Sequence, residues 1–111
     1  MFSRETVHAL PGFASTHPLF KGHFPGNPVV PGSVIVAEVL LCLSRQHVGS
    51  PPGYELATIK FPTPLRPDTP VLVRFRYERN GQISFTAQSD VATVAIGRLR
   101  ADPTDATRTT P

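Results

Sequence analysis

The sequence predicts an α+β fold, one buried helix against an antiparallel sheet, on three observations. Residues 34–43 read Val-Ile-Val-Ala-Glu-Val-Leu-Leu-Cys-Leu, apolar at every position but one. A helix apolar on all sides is a buried helix, and this one has the length of a core helix, too short for a membrane. Beyond residue 53 the apolar period changes to two, with Val71, Val73, Phe75 and Tyr77 alternating with Leu72, Arg74, Arg76 and Glu78. Between the two regimes lies Gly49-Ser50-Pro51-Pro52-Gly53, which stops the helix.

In chain order, residues 5–10 read as a short strand ended by Pro11-Gly12, and 13–16 as a second extended piece. The helix is expected over 33–48, with Ser33 as N-cap behind Pro31-Gly32. Strands follow at 54–61, 70–78, 82–87 and 91–101. Asn80-Gly81 is a hairpin signal of the type I′ kind, and Ser89-Asp90 makes a weaker turn. The tail 102–111 has no apolar period and is expected to be disordered, leaving a single domain over 1–101.

Composition adds bounds. In 111 residues with 40% hydrophobic and no tryptophan, one protomer buries a modest core, so dimerisation is expected. The lone cysteine, Cys42, excludes an intramolecular disulfide framework and suits a reducing compartment. No apolar run reaches membrane-span length and the first residues lack the apolar core of a secretory signal, so the expectation is a cytoplasmic protein without a membrane partner. A net charge of +3 raises nucleic acid as a partner. Arg74, Arg76, Arg98 and Arg100 instead alternate with apolar residues, as on a solvated strand face, and neither a basic block nor a stacking motif supports nucleic acid. An acidic protein steered by this charge is the better functional alternative.

Residues 17–32, His-Pro-Leu-Phe-Lys-Gly-His-Phe-Pro-Gly-Asn-Pro-Val-Val-Pro-Gly, carry four prolines and three glycines. Each proline fixes its own φ and pushes its predecessor toward extended geometry, while the glycines permit the turns between. Such a stiff loop holds His23 and Phe24 at the entrance to a helix, which marks a site.

The run from Gly22 to Gly32 followed by an apolar helix resembles the signature of the 3-hydroxyacyl-[acyl-carrier-protein] dehydratases of fatty-acid synthesis. A weaker likeness continues through Ile59-Lys60-Phe61-Pro62-Thr63-Pro64-Leu65-Arg66-Pro67-Asp68, where members carry an F-x-x-P-(V/L)-x-P-G-D stretch. The resemblance implies a hotdog fold, an antiparallel sheet wrapped around a central helix. It also implies a homodimer or an assembly of dimers, in which a histidine of one chain faces an acid on the other chain's helix. The substrate it implies is borne by an acyl carrier protein, with neither metal nor other cofactor.

Dehydration of a 3-hydroxyacyl thioester needs a base at C2, an acid for the departing C3 hydroxyl and donors for the thioester oxygen. His23 suits the base, being largely neutral near pH 7. The N–H groups of Gly32, Ser33 and Val34 at the helix start suit the donors, and Phe24, Val34 and Ile35 are candidates to line an acyl tunnel. For His8, His17 and His47 a structural role is expected, and Cys42 is read as a small core residue. His17, His23 and Cys42 do not have metal-ligand spacing.

The acid departs from the resembled pattern. Members carry it fourteen positions after the histidine, which here is Ala37, and Glu38 stands one residue later. One residue is about 100° of helix rotation, unless Ser33 belongs to the loop and realigns the helix. Glu38 is therefore either the acid or part of a polar stripe with Arg45. Two alternatives to a dehydratase follow: a catalytically weakened hotdog subunit that pairs with an active homologue, and a hotdog thioesterase.

Overall fold

The computed structural model describes residues 4–13, 29–46, 53–78 and 80–101. The elements are β1 (Arg4–Leu10), α1 (Gly32–Arg45), β2 (Tyr54–Lys60), β3 (Val71–Tyr77), β4 (Gln82–Gln88) and β5 (Thr93–Ala101). The strands form one antiparallel sheet in the order β1-β3-β4-β5-β2. Strands β3, β4 and β5 are consecutive hairpins, and β1 and β2, which flank the helix in sequence, close the two edges. This is the α+β, hotdog arrangement that the sequence implies.

Alternation decides which face is inside. On β3, Val71, Val73 and Phe75 are buried while Leu72, Arg74 and Arg76 are exposed. On β4 the buried set is Ile83, Phe85 and Ala87. Ile35, Val39 and Leu43 of α1, spaced i, i+4, i+8 and so on one stripe, complete the core with them. Arg98 and Arg100 face outward with Arg74 and Arg76, as their alternation predicts. Arg76 pairs with Glu78 at 3.7 Å and Arg100 with Glu55 at 3.9 Å, both exposed. Pairs of this kind contribute about 1 kcal/mol at most. No helix among the described residues is long and apolar enough to cross a membrane.

Three local expectations are corrected. First, α1 begins at Gly32, and the N-cap is Pro31, not Ser33. Pro31 has the extended geometry of a cap (φ −60°, ψ 144°), and its carbonyl accepts the N–H of Val34 at 3.0 Å and of Ile35 at 3.2 Å. Ser33 is the second helical residue. Second, α1 is not covered on all sides within one chain. The stripe Ser33, Ala37, Leu41 and Arg45 is exposed, directly opposite the buried stripe, because a single sheet covers only one side of a helix. Third, the β3–β4 connection is longer than a two-residue type I′ turn. The Glu78 N–H donates to the Gln82 carbonyl at 2.8 Å, so three sequence positions separate that bonded pair, the last of them Gly81 at φ 82°. Three-residue hairpins place their left-handed residue at that last position. The predicted turn after β4 is present: Ser89 Oγ accepts the N–H groups of Val91 and Ala92.

Gln46 fixes the far end of α1. Its Oε1 accepts the Tyr77 hydroxyl at 3.0 Å and the Thr6 hydroxyl at 3.3 Å, and its Nε2 donates to the Cys42 carbonyl at 3.1 Å. One amide thereby joins α1 to β1 and β3. Asp68 takes φ 63°, left-handed backbone, where the resembled stretch carries glycine, and its N–H donates to the Phe13 carbonyl at 2.8 Å. The expected extended piece over 13–16 lies outside the described residues from 14 onward, as do the tail 102–111 and the end of the predicted helix from 47.

Candidate active site

The segment leaving β2 returns beside the entry to α1, where the Val30 N–H donates to the Leu65 carbonyl at 2.8 Å. Between them lies a cavity of about 280 Å³ lined by Val30, Gly32, Ile35, Phe61, Leu65 and Val94, among others. Val30, Ile35, Leu65 and Val94 are each at most 2% exposed and form an apolar floor. Phe61 is different: it is 43% exposed, and its ring lies directly against Gly32. A β-carbon on Gly32 would come within 2.6 Å of that ring, so this close approach requires glycine.

The same turn of helix carries backbone donors. Among the described residues no backbone acceptor is found for the N–H of Gly32 or Ser33, as the first turn of any helix implies. Val34 departs from expectation, since its N–H is taken by the Pro31 carbonyl. The first turn holds no acidic residue, so the positive end of the helix dipole is left uncompensated there. An apolar chain with an electron-rich carbonyl at its head matches this pairing of cavity and donors.

Of the residues singled out from sequence, Gly32 and Ile35 line the cavity, and Ser33 and Val34 do not. His23 and Phe24 lie outside the described residues, as do His17 and His47. Glu38 is half-buried and Ala37 exposed. At about 100° per residue Glu38 stands roughly 60° around the helix from the lining residue Ile35 and Ala37 roughly 160°, so Glu38 lies toward the cavity's side of α1 and Ala37 away from it, while neither lines the cavity. Among the described residues no carboxylate lines this cavity.

His8 lies on the inner side of β1, its ring 6.0 Å from that of Phe75. Its Nε2 is buried, with no hydrogen-bond partner among the described residues. Cys42 is half-buried and accepts from Gln46 Nε2 at 3.8 Å. Burial pushes its thiol above the ordinary range, and the Gln46 hydrogen bond and the Arg45 charge offset this only in part. Burial likewise raises the Tyr54 phenol, with Tyr77 adding to it.

Sequence reasoning missed Phe61, Leu65 and Val94 as lining residues. The signal for the first two was the Phe61-Pro62-Thr63-Pro64-Leu65 stretch, legible as a likeness but without an assigned contact. For Val94 there was none, since one inward valine on a strand resembles any other.

Comparison with known proteins matches this geometry to a family. The ApeI-like pattern, described as ApeI dehydratase, matches residues 3–98. The 3-hydroxyacyl-[acyl-carrier-protein] dehydratase FabZ of Aeromonas hydrophila is 39% identical over 102 residues, covering 82% of this chain and 65% of that protein. The namesake from Vibrio atlanticus is 34% identical over 107 residues, covering 86% of this chain and 71% of that one. The chain thus spans just under two thirds of the Aeromonas relative's length. Among solved structures, the dehydratase heterocomplex ApeI:P from Xenorhabdus doucetiae superposes with a TM-score of 0.65 at 22% identity, covering 90% of this chain and 93% of that one. An uncharacterised Erwinia carotovora protein gives 0.68 at 19% identity, covering 90% and 84%. At such identities these two establish the fold alone. With its sequence pattern matched from residue 3 to residue 98, the chain belongs to the ApeI-like dehydratase family.

Proposed function

We propose that this chain is a dehydratase that converts a 3-hydroxyacyl group, held as a thioester on an acyl carrier protein, to the trans-2-enoyl thioester. The observation that carries the reading is the apolar cavity beside the N–H groups of Gly32 and Ser33, at the helix entrance that follows the His23 loop. The names of the relatives from Aeromonas and Vibrio support the same chemistry.

In this mechanism the thioester oxygen rests at the start of α1, where backbone donors and the helix dipole favour the negative charge it gains. His23 removes the C2 proton and the electron pair passes to the carbonyl oxygen. Its return forms the C2–C3 double bond and breaks the C3–O bond, with a proton from a carboxylic acid making the leaving group water. Glu38 is the acid of this chain nearest in sequence to the resembled position. Neither Glu38 nor Ala37 lines the cavity within one chain, and the resemblance puts the acid on the partner chain's helix, so in this reading the acid acts across a pair of chains. Two features favour a dimer: β2 is an edge strand, and the exposed stripe with Ala37 and Leu41 remains to be covered.

A second reading is favoured by the outward position of Ala37, where the resemblance expects a carboxylate: a subunit that pairs with a homologous hotdog chain carrying the acid. The Xenorhabdus doucetiae dehydratase whose fold this chain shares is itself a heterocomplex, ApeI:P, which supports pairing as a reading of this chain. The test is hydration of a trans-2-enoyl thioester, the reverse reaction, followed by loss of the conjugated absorbance. Wild type should turn over, and His23→Ala should fall to background with an unchanged melting temperature. Activity only on mixing with a homologous chain selects the second reading, and inactivity in both settings removes the dehydratase proposal.

A further inference from the structure

Phe61 stands at the head of the cavity, where the chain leaving β2 meets the start of α1. Three atoms at the tip of its ring, Cζ, Cε2 and Cε1, lie 2.6, 2.7 and 3.0 Å from the point where a β-carbon of Gly32 would stand. Among the described residues outside the helix, the atoms nearest that point all belong to this ring. The same turn carries the Gly32 and Ser33 N–H groups, for which no backbone acceptor is found among the described residues. The start of α1 gives these donors little cover of its own. Pro31 and Ser33 are exposed, and Gly32 has no side chain, yet Gly32 is half-buried. The ring supplies that cover, and at 43% exposed it still has part of its surface in solvent.

We propose that Phe61 is the cover of the carbonyl site, its ring keeping water from a thioester oxygen held by the Gly32 and Ser33 N–H groups. The inference rests on the reading of this cavity as an acyl-thioester site. Water at that oxygen competes with the backbone donors and raises the local dielectric, whereas donors aimed at a developing negative charge act most strongly where water is excluded. The benefit falls on the step in which the oxygen gains charge more than on the uncharged bound state, so it belongs in kcat more than in KM. Phe61 is a positioning residue in this sense: it moves no proton and donates no hydrogen bond, and it acts through the donors beside it.

The experiment is isotope-edited infrared spectroscopy of butyryl-pantetheine, labelled with heavy carbon at the thioester carbonyl and bound to the purified protein. This saturated ligand undergoes neither hydration nor dehydration. In wild type the carbonyl band is expected to be narrow and lower in frequency than in water. In Phe61→Ala it should broaden and return toward its position in water. Enoyl hydration by that variant should lose about tenfold in kcat with KM little changed, less than the roughly 10²–10³ that removing a donor outright costs. Phe61→Tyr, which keeps the ring, should behave as wild type, and Phe61→Leu, the milder change should the alanine variant fold poorly, should fall between. The same narrow, displaced band in wild type and variants, or a loss confined to KM, would overturn the inference and leave the acyl-thioester reading in place. A wild-type band at its aqueous position, or no bound band, removes that reading and the inference with it. A displaced band that depends on Phe61 in a protein without turnover keeps the cover and removes the dehydratase reading.

Discussion

The ring of Phe61 occupies the space that a β-carbon on Gly32 would need, its Cζ only 2.6 Å from that position. The two residues are thereby coupled across 29 positions of sequence, and one substitution should test the other. Gly32→Ala forces the ring away from the helix. Since Phe61 is partly exposed it has somewhere to go, so the expected loss is about 1 kcal/mol, the low end of overpacking. In a Phe61→Ala background the same change should become neutral or stabilising, because alanine is favoured over glycine in a helix by up to ~1 kcal/mol. Urea unfolding of the four proteins gives the coupling, and equal effects in both backgrounds would contradict the contact.

Gly97 of β5 presents the same close approach without the escape. A β-carbon there would lie 2.6 Å from the Phe85 ring and 2.7 Å from the Thr58 carbonyl oxygen. Phe85 is 1% exposed, and the carbonyl belongs to the backbone of β2 beside the bulge between Leu56 and Thr58. Neither neighbour can yield, so Gly97→Ala is expected to cost about 3 kcal/mol or more. Removing the ring with Phe85→Ala should not restore stability, since the carbonyl remains and a core cavity is added. A melting temperature for Gly97→Ala within a few degrees of wild type would show that β2 and β5 are not so closely apposed.

These two glycines show what sequence reading reached. The period-2 alternation of Val71 to Tyr77 and the apolar run of residues 34–43 gave the sheet and the helix, because burial imposes a period on any strand or helix packed on one face. Contacts such as Phe61 on Gly32 or Phe85 on Gly97 are set by tertiary approach and leave no local pattern. The same holds for the cap. Ser33 has the chemistry of an N-cap, but the preceding proline already supplies an extended residue and a carbonyl for the first turn, so the helix starts one residue earlier. The exposure of Ala37 and Leu41 was also hidden, since a helix apolar all round does not say whether its own sheet or another surface covers it.

Cys42 gives a chemical test of the helix environment. Burial pushes the thiol up, Glu38 adds to the rise, and the Gln46 donor with the Arg45 charge offsets only part of it. The thiolate is the nucleophile, so alkylation by iodoacetamide near pH 8 should run slower in the folded protein than in the urea-unfolded chain. The rate should climb only as pH passes the ordinary thiol range. The sign for stability follows: the raised thiol favours the protonated folded form, so its contribution is whole below the ordinary thiol value and is lost as pH rises through the folded one. Alkylation as fast in the folded protein as in the unfolded chain would show an open thiol.

The position of the acid is decided by two substitutions on α1. If Glu38 is the general acid, Glu38→Gln keeps size and polarity and should lower turnover by about two to four orders of magnitude. If the resembled register holds, Glu38→Gln should change turnover little, and Ala37→Glu should create or raise activity by returning a carboxyl to that position. Ala37 is exposed within one chain, so a glutamate there is solvated in the protomer and meets other groups only across an interface. Sedimentation of Ala37→Glu therefore belongs beside its kinetics, because a carboxylate that breaks the dimer and one that fails as a catalyst both lower the rate. A dimeric Ala37→Glu protein with raised turnover, and a Glu38→Gln protein with wild-type turnover, would together assign the acid to position 37. Undiminished turnover in Glu38→Gln alone removes Glu38 from the reaction.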